Sequence, residues 1–181
     1  MLKEALVLQL AIIAVPAYTA NSIPVLAAKI LKKRTPIDMG KTFIDGRRIL
    51  GDGKSVEGFI AGVVAGTATF FPAKLVVTTF YSQYLKSVVL SLQLFFVTAF
   101  GALLGDILGS FVKRRLGMPR GHPFPVVDQL GFMVTALLLD YLIFSINIFS
   151  IETLLLLMLT YIIHKLSNYL AFKTGLKNVP W

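Results

Sequence analysis

The chain has 181 residues, of which 56% are hydrophobic and only 15% are charged. Its 18 lysines and arginines outnumber its 9 acidic residues, so the formal net charge is +9. Soluble domains carry about a quarter charged residues, and this composition excludes a disordered chain, a coiled coil and a soluble nucleic-acid-binding protein. The lack of cysteine excludes a disulfide framework and cysteine-ligated zinc. We therefore expect one integral membrane domain over residues 1–181, with no nucleic-acid partner.

Hydropathy windows sized to a bilayer core of roughly 30 Å predict five transmembrane helices. In chain order the predicted spans cover residues 5–28, 56–77, 88–108, 126–146 and 154–172. They should be α-helical, because in lipid each backbone amide and carbonyl must be satisfied within its own segment. The predicted fold is therefore an all-α integral membrane bundle with two long loops, at residues 29–55 and 109–125.

Basic residues are concentrated in the two long loops and the C-terminal tail. The first loop holds eight of them and the second holds four, whereas the opposite side holds only Lys3, Lys74 and Lys86. Cytoplasmic loops are enriched in Lys and Arg. Five spans in the cell membrane then place the N-terminus outside, and the C-terminus and both loops in the cytoplasm. Taken alone, these charges also fit topology signals and contacts with anionic membrane lipids.

Six of the nine acidic residues lie on the basic side of the chain, which topology signals do not require. Three of them, Glu57, Asp106 and Asp128, stand near the cytoplasmic ends of three different predicted helices. A carboxylate at the membrane boundary is costly unless it is paired. Acids mixed with bases at one depth indicate a divalent cation and a polyanionic ligand, and salt bridges between helix ends are the structural alternative.

Two spans carry a glycine at every fourth position. The second span has Gly58, Gly62 and Gly66, and the third has Gly101, Gly105 and Gly109. Ridges of small residues let helix backbones approach closely, so we expect the second and third spans to touch along these faces. The pattern predicts close helix packing and does not indicate a chemical function.

The first loop combines flexible and charged residues in a short stretch and predicts a nucleotide cradle. Its glycines leave backbone amides accessible, and its end meets the N-terminus of the second span, where a phosphate is favoured. A Walker A loop is excluded, because that pattern needs glycine at the position of Arg48 and a preceding strand. A turn-rich linker is the structural alternative. The candidate nucleotide-binding residues here are Asp45, Arg47, Arg48, Gly51, Asp52, Gly53, Lys54 and Ser55.

The second loop carries a more specific motif. It reads Gly105-Asp106, then Ser110-Phe-Val-Lys-Arg-Arg-Leu-Gly-Met-Pro-Arg-Gly121, then Pro125-Val-Val-Asp-Gln-Leu130. This arrangement resembles the signature of the CTP-dependent phosphatidate cytidylyltransferases. Together with Ala20-Asn-Ser-Ile-Pro24 and the loop from Asp45 to Ser55, the chain is similar to their archaeal branch, the CDP-archaeol synthases.

The resemblance implies transfer of CMP from CTP to the phosphate of 2,3-bis-O-geranylgeranyl-sn-glycerol 1-phosphate, an isoprenoid ether lipid, with release of pyrophosphate and a requirement for Mg²⁺. Two positions depart from the bacterial members. Pro119-Arg120 stands where they have Lys-Asp, and Gly131 stands where they have a second Asp. The set of metal ligands that the resemblance implies is therefore one carboxylate short. We expect Asp106 or an acid of the first loop to complete it.

The resemblance and the chemistry of phosphates assign the candidate site residues. Asp106 and Asp128 are assigned to Mg²⁺, with Glu57 as a further candidate, since Mg²⁺ takes one or two carboxylates together with phosphate oxygens. Lys113 and Arg114 are assigned to the phosphates. Asn21 and Ser110 are assigned to the nucleotide, although interhelical hydrogen bonding is an equal alternative for Asn21.

Some polar residues inside the predicted helices are open to two interpretations. Asp140 lies too deep for a nucleotide and is expected to pair within the bundle. In the fifth span, a stripe of polar residues is either structural or places Lys165 at the lipid phosphate. The stripe consists of Tyr161, His164, Lys165 and Asn168.

Two other functions are compatible with a small basic membrane protein. A CDP-alcohol phosphotransferase requires Asp-Gly-x-x-Ala-Arg, but Arg47-Arg48-Ile49 follow Asp45-Gly46. A small transporter or channel subunit is expected to show inverted repeats, and none is visible. The preferred partners are thus CTP, the ether-lipid phosphate and membrane lipid, with a homo-oligomer left open.

Overall fold

The computed structural model describes residues 2–31, 34–119, 121–177 and 179–180, so Arg120 of the second-loop motif lies outside the described residues. The described chain forms α1 (Leu2–Ile30), α2 (Val56–Ala68), α3 (Phe70–Phe80), a 3₁₀ turn (Ser82–Tyr84), α4 (Leu92–Arg115), α5 (Pro125–Phe144) and α6 (Ile151–Lys173). Five helical stretches within it are long and apolar enough to cross a membrane, with α2 and α3 together forming one of them. The predicted all-α membrane fold is confirmed, and its orientation stays a prediction.

The second span is broken at Thr69, between α2 and α3. Pro72 explains the break, because proline has no amide hydrogen to donate to the carbonyl four residues earlier and its ring clashes with that carbonyl. The carbonyl concerned is that of Ala68, the last residue of α2. The two helices still form one stretch of membrane length, Val56–Phe80.

The third span differs most from its predicted bounds of 88–108. Helix α4 begins after Ser91, whose Oγ accepts a hydrogen bond from Leu94 N. The apolar residues before Ser91 form a loop, in which Val89 N donates to Gln9 Oε1 at 2.6 Å. At the other end, the helix continues to Arg115, because basic side chains in a last turn complement the helix dipole. A hydropathy window detects neither the loop hydrogen bond at Val89 nor the basic last turn of α4.

Helix α1 packs against α2, α4, α5 and α6, and the most extensive helix pair is α4 with α5. The buried core is formed by residues such as Ile13, Ala17, Phe95, Ala99 and Met133. Many large apolar side chains face outward instead, including Ile60, Phe71, Leu142 and Leu155, which are each more than half exposed. Apolar surface of this extent suits a lipid environment.

The glycine ridges pack differently from the expectation. The ridge of α2 contacts both α1 and α4: a Cβ on Gly62 would lie 2.7 Å from Ala20 O of α1 and 2.8 Å from Leu103 Cδ1 of α4, and a Cβ on Gly66 would lie 2.7 Å from Ala99 Cβ of α4. The ridge of α4 faces α5: a Cβ on Gly105 would lie 2.4 Å from Gly131 O. The second and third spans therefore touch along the ridge of α2, as expected, but the ridge of α4 packs against α5 and not against the ridge of α2.

Asp140 is fully buried between α4 and α5 and pairs within the bundle, as expected. Thr98 Oγ1 lies 2.8 Å from both Leu94 O and Asp140 Oδ2. The contact between Thr98 of α4 and Asp140 of α5 therefore links the two helices.

The contact between α4 and α5 predicts a stability difference between two glycines. Gly105→Ala should destabilise the protein by about 1–3 kcal/mol, since the new methyl would meet Gly131 O at 2.4 Å and Thr135 Oγ1 at 2.7 Å. In the control Gly109→Ala the nearest atom is Val127 Cγ1 at 3.2 Å, on a side chain that is able to shift. Thermal unfolding in detergent measures both, and equal midpoints would contradict the packing argument.

Candidate active site

A cavity of about 800 Å³ opens at one end of the bundle, which we call the loop end. Here α1, α4 and α6 end, and α2 and α5 begin. The walls come from the last turns of α1, the first loop, the second half of α4, the start of α5, the second half of α6 and the C-terminal tail. Segments from the whole chain thus converge on one polar space.

Two ion pairs lie in this cavity. Lys54 Nζ is 2.5 Å from Asp106 Oδ2, and Lys113 Nζ is 2.7 Å from Asp128 Oδ1. Asp128 Oδ2 also accepts a hydrogen bond from Phe124 N at 2.9 Å, whereas Asp106 Oδ1 accepts none from any described residue. All four side chains are partly buried, and pairing satisfies the requirement for charges at a membrane boundary.

The two carboxylates fit the donor set of Mg²⁺. That ion binds proteins through one or two carboxylates and keeps waters or substrate phosphates for its remaining positions. Asp106 and Asp128 supply two carboxylates on one cavity. Among the described residues there is no group of three or more His, Asp or Glu side chains placed to hold a metal ion by themselves.

Asp38 organises the first loop, although the sequence did not single it out. Its buried carboxylate accepts hydrogen bonds from the amides of Gly40, Leu50 and Gly51 and from the guanidinium of Arg48, at 2.8–3.2 Å. The Arg48 guanidinium holds the pKa of the Asp38 carboxyl well below its usual range, with the three amides acting in the same direction. Gly51 has φ +95°, a conformation that favours glycine. One carboxylate therefore sets the shape of the loop.

The first loop is also fastened to the end of α4. Arg47 Nη1 donates to Arg115 O at 2.6 Å, and Arg115 Nη2 donates to Arg48 O at 2.6 Å. The Arg115 guanidinium is 3.4 Å from Asp45 and lies over the ring of Phe43, with 4.8 Å between Cζ and the ring centroid. Charged residues thus hold the first loop to the end of α4.

The structure divides the predicted site residues into two groups. Those that line the cavity are Asn21, Gly51, Gly53, Lys54, Ser55, Asp106, Ser110, Lys113, Arg114 and Asp128. Those outside its lining are Asp45, Arg47, Arg48, Asp52 and Glu57. Arg48 lies 2.8 Å from Asp52 as well as from Asp38, and Glu57 accepts from Thr35 N through both carboxylate oxygens. The second group has partners within the first loop or at Arg115 of α4, and its ligand-binding roles stay predictions.

A polar network that joins Asn21 to residues without a role assigned from the sequence forms another wall, in keeping with the interhelical alternative for Asn21. His164 Nδ1 lies 2.8 Å from Gln129 Oε1, so it carries the hydrogen, and His164 Nε2 accepts from Asn21 Nδ2 at 3.1 Å. Four residues further along α6, Asn168 Oδ1 accepts from Lys177 Nζ at 2.9 Å. The spacing of His164 and Asn168 on one helical face was the available signal. The network joins α1, α5, α6 and the tail.

Lys177 enters the cavity because the tail reverses after α6. Gly175, at φ +69°, permits the reversal, and the amides of Leu176 and Lys177 both donate to Ala171 O. Burial lowers the pKa of the Lys177 ammonium, and the nearby Lys54 ammonium acts in the same direction. Asp106 and Asp128 oppose this shift, so Lys177 lies within the field of both ion pairs.

Together, the fold and the cavity define a multi-pass membrane protein with a charged cavity at the ends of its helices. A family model described as CarS-like, CDP-archaeol synthase, matches residues 3–181. The CDP-archaeol synthase of Thermococcus gammatolerans is 46% identical over 166 residues, covering 92% of this chain and 91% of the relative. That of Pyrobaculum calidifontis is 45% identical over 175 residues, covering 97% and 98%.

A solved structure, described as an intramembrane enzyme for archaeal membrane lipids biosynthesis, is also similar. It shares 37% sequence identity and a TM-score of 0.69, and the match covers 93% of this chain and 94% of the other. The chain therefore belongs to the CDP-archaeol synthase family. The predicted resemblance and the predicted enzyme class, a CTP-dependent lipid cytidylyltransferase, are confirmed.

The geometry of the first loop predicts unequal effects at two aspartates. Asp38→Asn should destabilise the loop by about 1–3 kcal/mol, because a neutral amide replaces a buried carboxylate that accepts five hydrogen bonds. Asp52→Asn removes only the exposed Arg48 pair and should cost less than about 1 kcal/mol. The rate of limited proteolysis within the loop measures both, and equal rates in the two variants would contradict the role of Asp38.

The same carboxyl sets the pH dependence of the loop. The pKa of the Asp38 carboxyl is lower in the folded loop than the ordinary value for aspartate. The ionised carboxylate therefore stabilises the folded loop above that ordinary value, and this stabilisation is lost as pH falls through the lowered pKa. In the wild-type protein, protease resistance of the loop should hold from neutral to mildly acidic pH.

Proposed function

We propose that this chain transfers CMP from CTP to the phosphate of 2,3-bis-O-geranylgeranyl-sn-glycerol 1-phosphate, with Mg²⁺ as cofactor, at a site facing the cytoplasm. The products are CDP-archaeol and pyrophosphate. The observation that carries the proposal is the convergence of two Lys–Asp pairs on one cavity at the loop end. The basic loops at that end support a cytoplasmic orientation in the cell membrane, where CTP is available.

The reaction joins two polyanions. An oxygen of the lipid phosphate attacks the α-phosphorus of CTP, and the bond between that phosphorus and the bridging oxygen of the leaving pyrophosphate breaks. The attacking phosphate is already ionised at neutral pH, so no side chain has to accept a proton. Catalysis then consists of positioning and charge neutralisation, which is the chemistry that cations in a preformed cavity supply.

Asp106 and Asp128 are the residues that would hold Mg²⁺. When bound, the ion would neutralise phosphate oxygens of the nucleotide. Gly131, which replaces a second aspartate of the bacterial pattern, lies against α4, with Gly105 O as the nearest atom to its ideal Cβ. The first-loop acid Asp38 is committed to its own hydrogen bonds. These contacts favour Asp106 as the second carboxylate.

Cationic groups around the cavity suit the phosphates. Lys54 and Lys113 already lie beside the two carboxylates. Arg114 also lines the cavity and places its guanidinium charge beside these groups. Lys177 adds a further buried ammonium. Such an excess of cations over carboxylates matches a ligand of several negative charges.

Neutral groups on the cavity wall suit the rest of the nucleotide. Gly51 and Gly53 present backbone without side chains, and Ser55 caps the N-terminus of α2, where the helix dipole favours a phosphate. Asn21 and Ser110 also line the cavity and are assigned to the nucleotide.

Transfer of label tests the proposed reaction. With CTP labelled at the α-phosphate, radioactivity should enter the lipid phase only when the ether-lipid phosphate and Mg²⁺ are both present, because that phosphorus ends in the product. Label at the γ-phosphate should stay in water. A chain that transfers no α-label to any of several lipid phosphates would refute the proposal, and ester-linked acceptors run alongside measure the preference for ether lipids.

Asp128→Asn should abolish Mg²⁺-dependent turnover while the protein keeps its thermal unfolding midpoint, since the amide retains the shape but loses the charge that a metal ion requires. Glu152→Gln, in the first turn of α6 and outside the cavity lining, is the matched control and should retain activity. Near-normal turnover in Asp128→Asn would remove Asp128 from the metal site.

The lowered pKa of Lys177 predicts an effect on the alkaline side of the pH profile. As pH rises toward this lowered pKa, the ammonium loses its proton and its attraction for CTP. In Lys177→Arg the guanidinium stays charged, so the alkaline fall in kcat/KM for CTP should move to higher pH. An unchanged alkaline limb would show that Lys177 does not contribute to CTP binding.

A further inference from the structure

The tip of the first loop is a tight turn that carries apolar side chains. Phe43 N donates to Arg47 O at 2.8 Å, and Gly46 N donates to Phe43 O at 2.9 Å. Gly46 has φ +74°, a conformation that favours glycine. Ile44 stands at the tip and is 94% exposed. We call residues 43–46 the first-loop turn, and its fold leaves a large apolar side chain outside the protein core.

The first-loop turn lies against the outer face of α4. The rings of Phe43 and Phe111 meet edge to face, with their centroids 5.5 Å apart. The Arg115 guanidinium lies over both rings, at 4.8 and 4.9 Å from their centroids. Beside Phe111 on α4, Leu108 and Val112 are nearly half exposed. Exposed apolar residues on a membrane-length helix face lipid, so the turn adjoins a lipid-facing surface.

The length of α4 gives the depth of this contact in a bilayer. The helix begins at Leu92, and its rise per residue places Phe111 about 29 Å further along the axis. The hydrocarbon core of a bilayer is roughly 30 Å thick. A helix that enters the core near Leu92 therefore leaves it near Phe111. The first-loop turn thus lies at the level where the acyl chains meet the headgroups.

The charges around the turn suit the same level. Lys41 precedes the turn and Arg47 follows it, and both are exposed. The acid within the turn, Asp45, already lies 3.4 Å from Arg115. The turn therefore combines an apolar tip with an excess of positive charge. Apolar side chains flanked by basic residues bind the boundary of a bilayer that carries anionic headgroups.

We propose that the first-loop turn anchors the first loop in the bilayer. Phe43 and Ile44 enter the boundary layer of the leaflet at the loop end, and Lys41 and Arg47 contact its anionic headgroups. Continuity with the lipid-facing surface of α4 favours the phospholipid layer as the partner over a second protein. The anchor restrains the same loop that carries Lys54 into the cavity. It does not depend on the identity of the nucleotide or of the lipid acceptor.

Spin labelling measures the depth of the turn, and the chain has no native cysteine that would compete for the label. The labelled full-length protein is placed in nanodiscs of anionic phospholipid, which expose both membrane faces. Collisions of the nitroxide with O₂, which concentrates in the hydrocarbon, are compared with its collisions with a water-soluble nickel complex. Val64→Cys, on an exposed position within α2, is the lipid reference. His122→Cys, exposed at the polar cavity, is the water reference.

For the label on Ile44→Cys, the ratio of O₂ collisions to nickel collisions should be shifted clearly above that of His122→Cys, toward that of Val64→Cys. The physical reason is that a side chain at the headgroup boundary is reached by O₂ from the acyl chains and is partly shielded from the nickel complex. A ratio at Ile44 equal to the ratio at His122 would place the turn in water and overturn the proposal.

A charged tip tests the anchor without a label. In the same nanodiscs, Ile44→Asp should raise the rate of tryptic cleavage after Lys41 several-fold, because a carboxylate is expelled from the membrane boundary and takes the turn with it. Met39→Asp is the matched control: Met39 is also exposed in the first loop, lies about as far from the cleaved bond, and is outside the turn. Its rate should match that of the wild type. An unchanged rate in Ile44→Asp, or an equal rise in both variants, would overturn the anchor.

Discussion

The close approach of α4 to α5 is the contact on which the rest of the site depends. At Gly105 the two backbones are near enough that any side chain would meet the carbonyl of Gly131. Asp106 follows Gly105 directly, and Asp128 lies one turn before Gly131, so this contact brings the two carboxylates to the same end of the bundle. Because charges at a membrane boundary require partners, each carboxylate is met by a lysine, Lys54 or Lys113. The closest helix contact and the paired charges therefore lie at the same end of the bundle.

The charged residues of the loop end serve two separate purposes. One set folds the loops: Asp38 holds Arg48 and three backbone amides, and Arg115 fastens the first loop to α4. The other set lines the cavity, where Lys54, Lys113 and Arg114 supply positive charge. A polyanion binds best to groups that do not have to rearrange. The folded first loop supplies that preorganisation, because the position of Lys54 depends on it.

Hydropathy predicted five spans because a membrane-length helix needs only a continuous apolar stretch. It misplaced the start of α4, since Val89 is apolar but bonds to Gln9 in a loop, and it missed the break at Thr69 that Pro72 causes. The candidate site was partly predictable. Charge patterning and the family resemblance indicated Asp106, Lys113 and Asp128, whose positions near helix ends follow from the spans. Lys177 was read only as a topology signal, because nothing local indicates that the tail turns back.

By itself, the sequence determined the class of fold, the segments that carry the charged residues, and the family. Each of these depends on composition or on residues close together in the chain. The tertiary structure decided which of those charges line the cavity. Arg48 and Asp52 share one stretch with Lys54, yet the first two bind each other and only Lys54 reaches Asp106. The physical reason is that a charged side chain is satisfied by whichever partner the packing brings within reach. Partners 52 and 15 residues away, as for Lys54 and Lys113, are set by the tertiary packing of helices and loops.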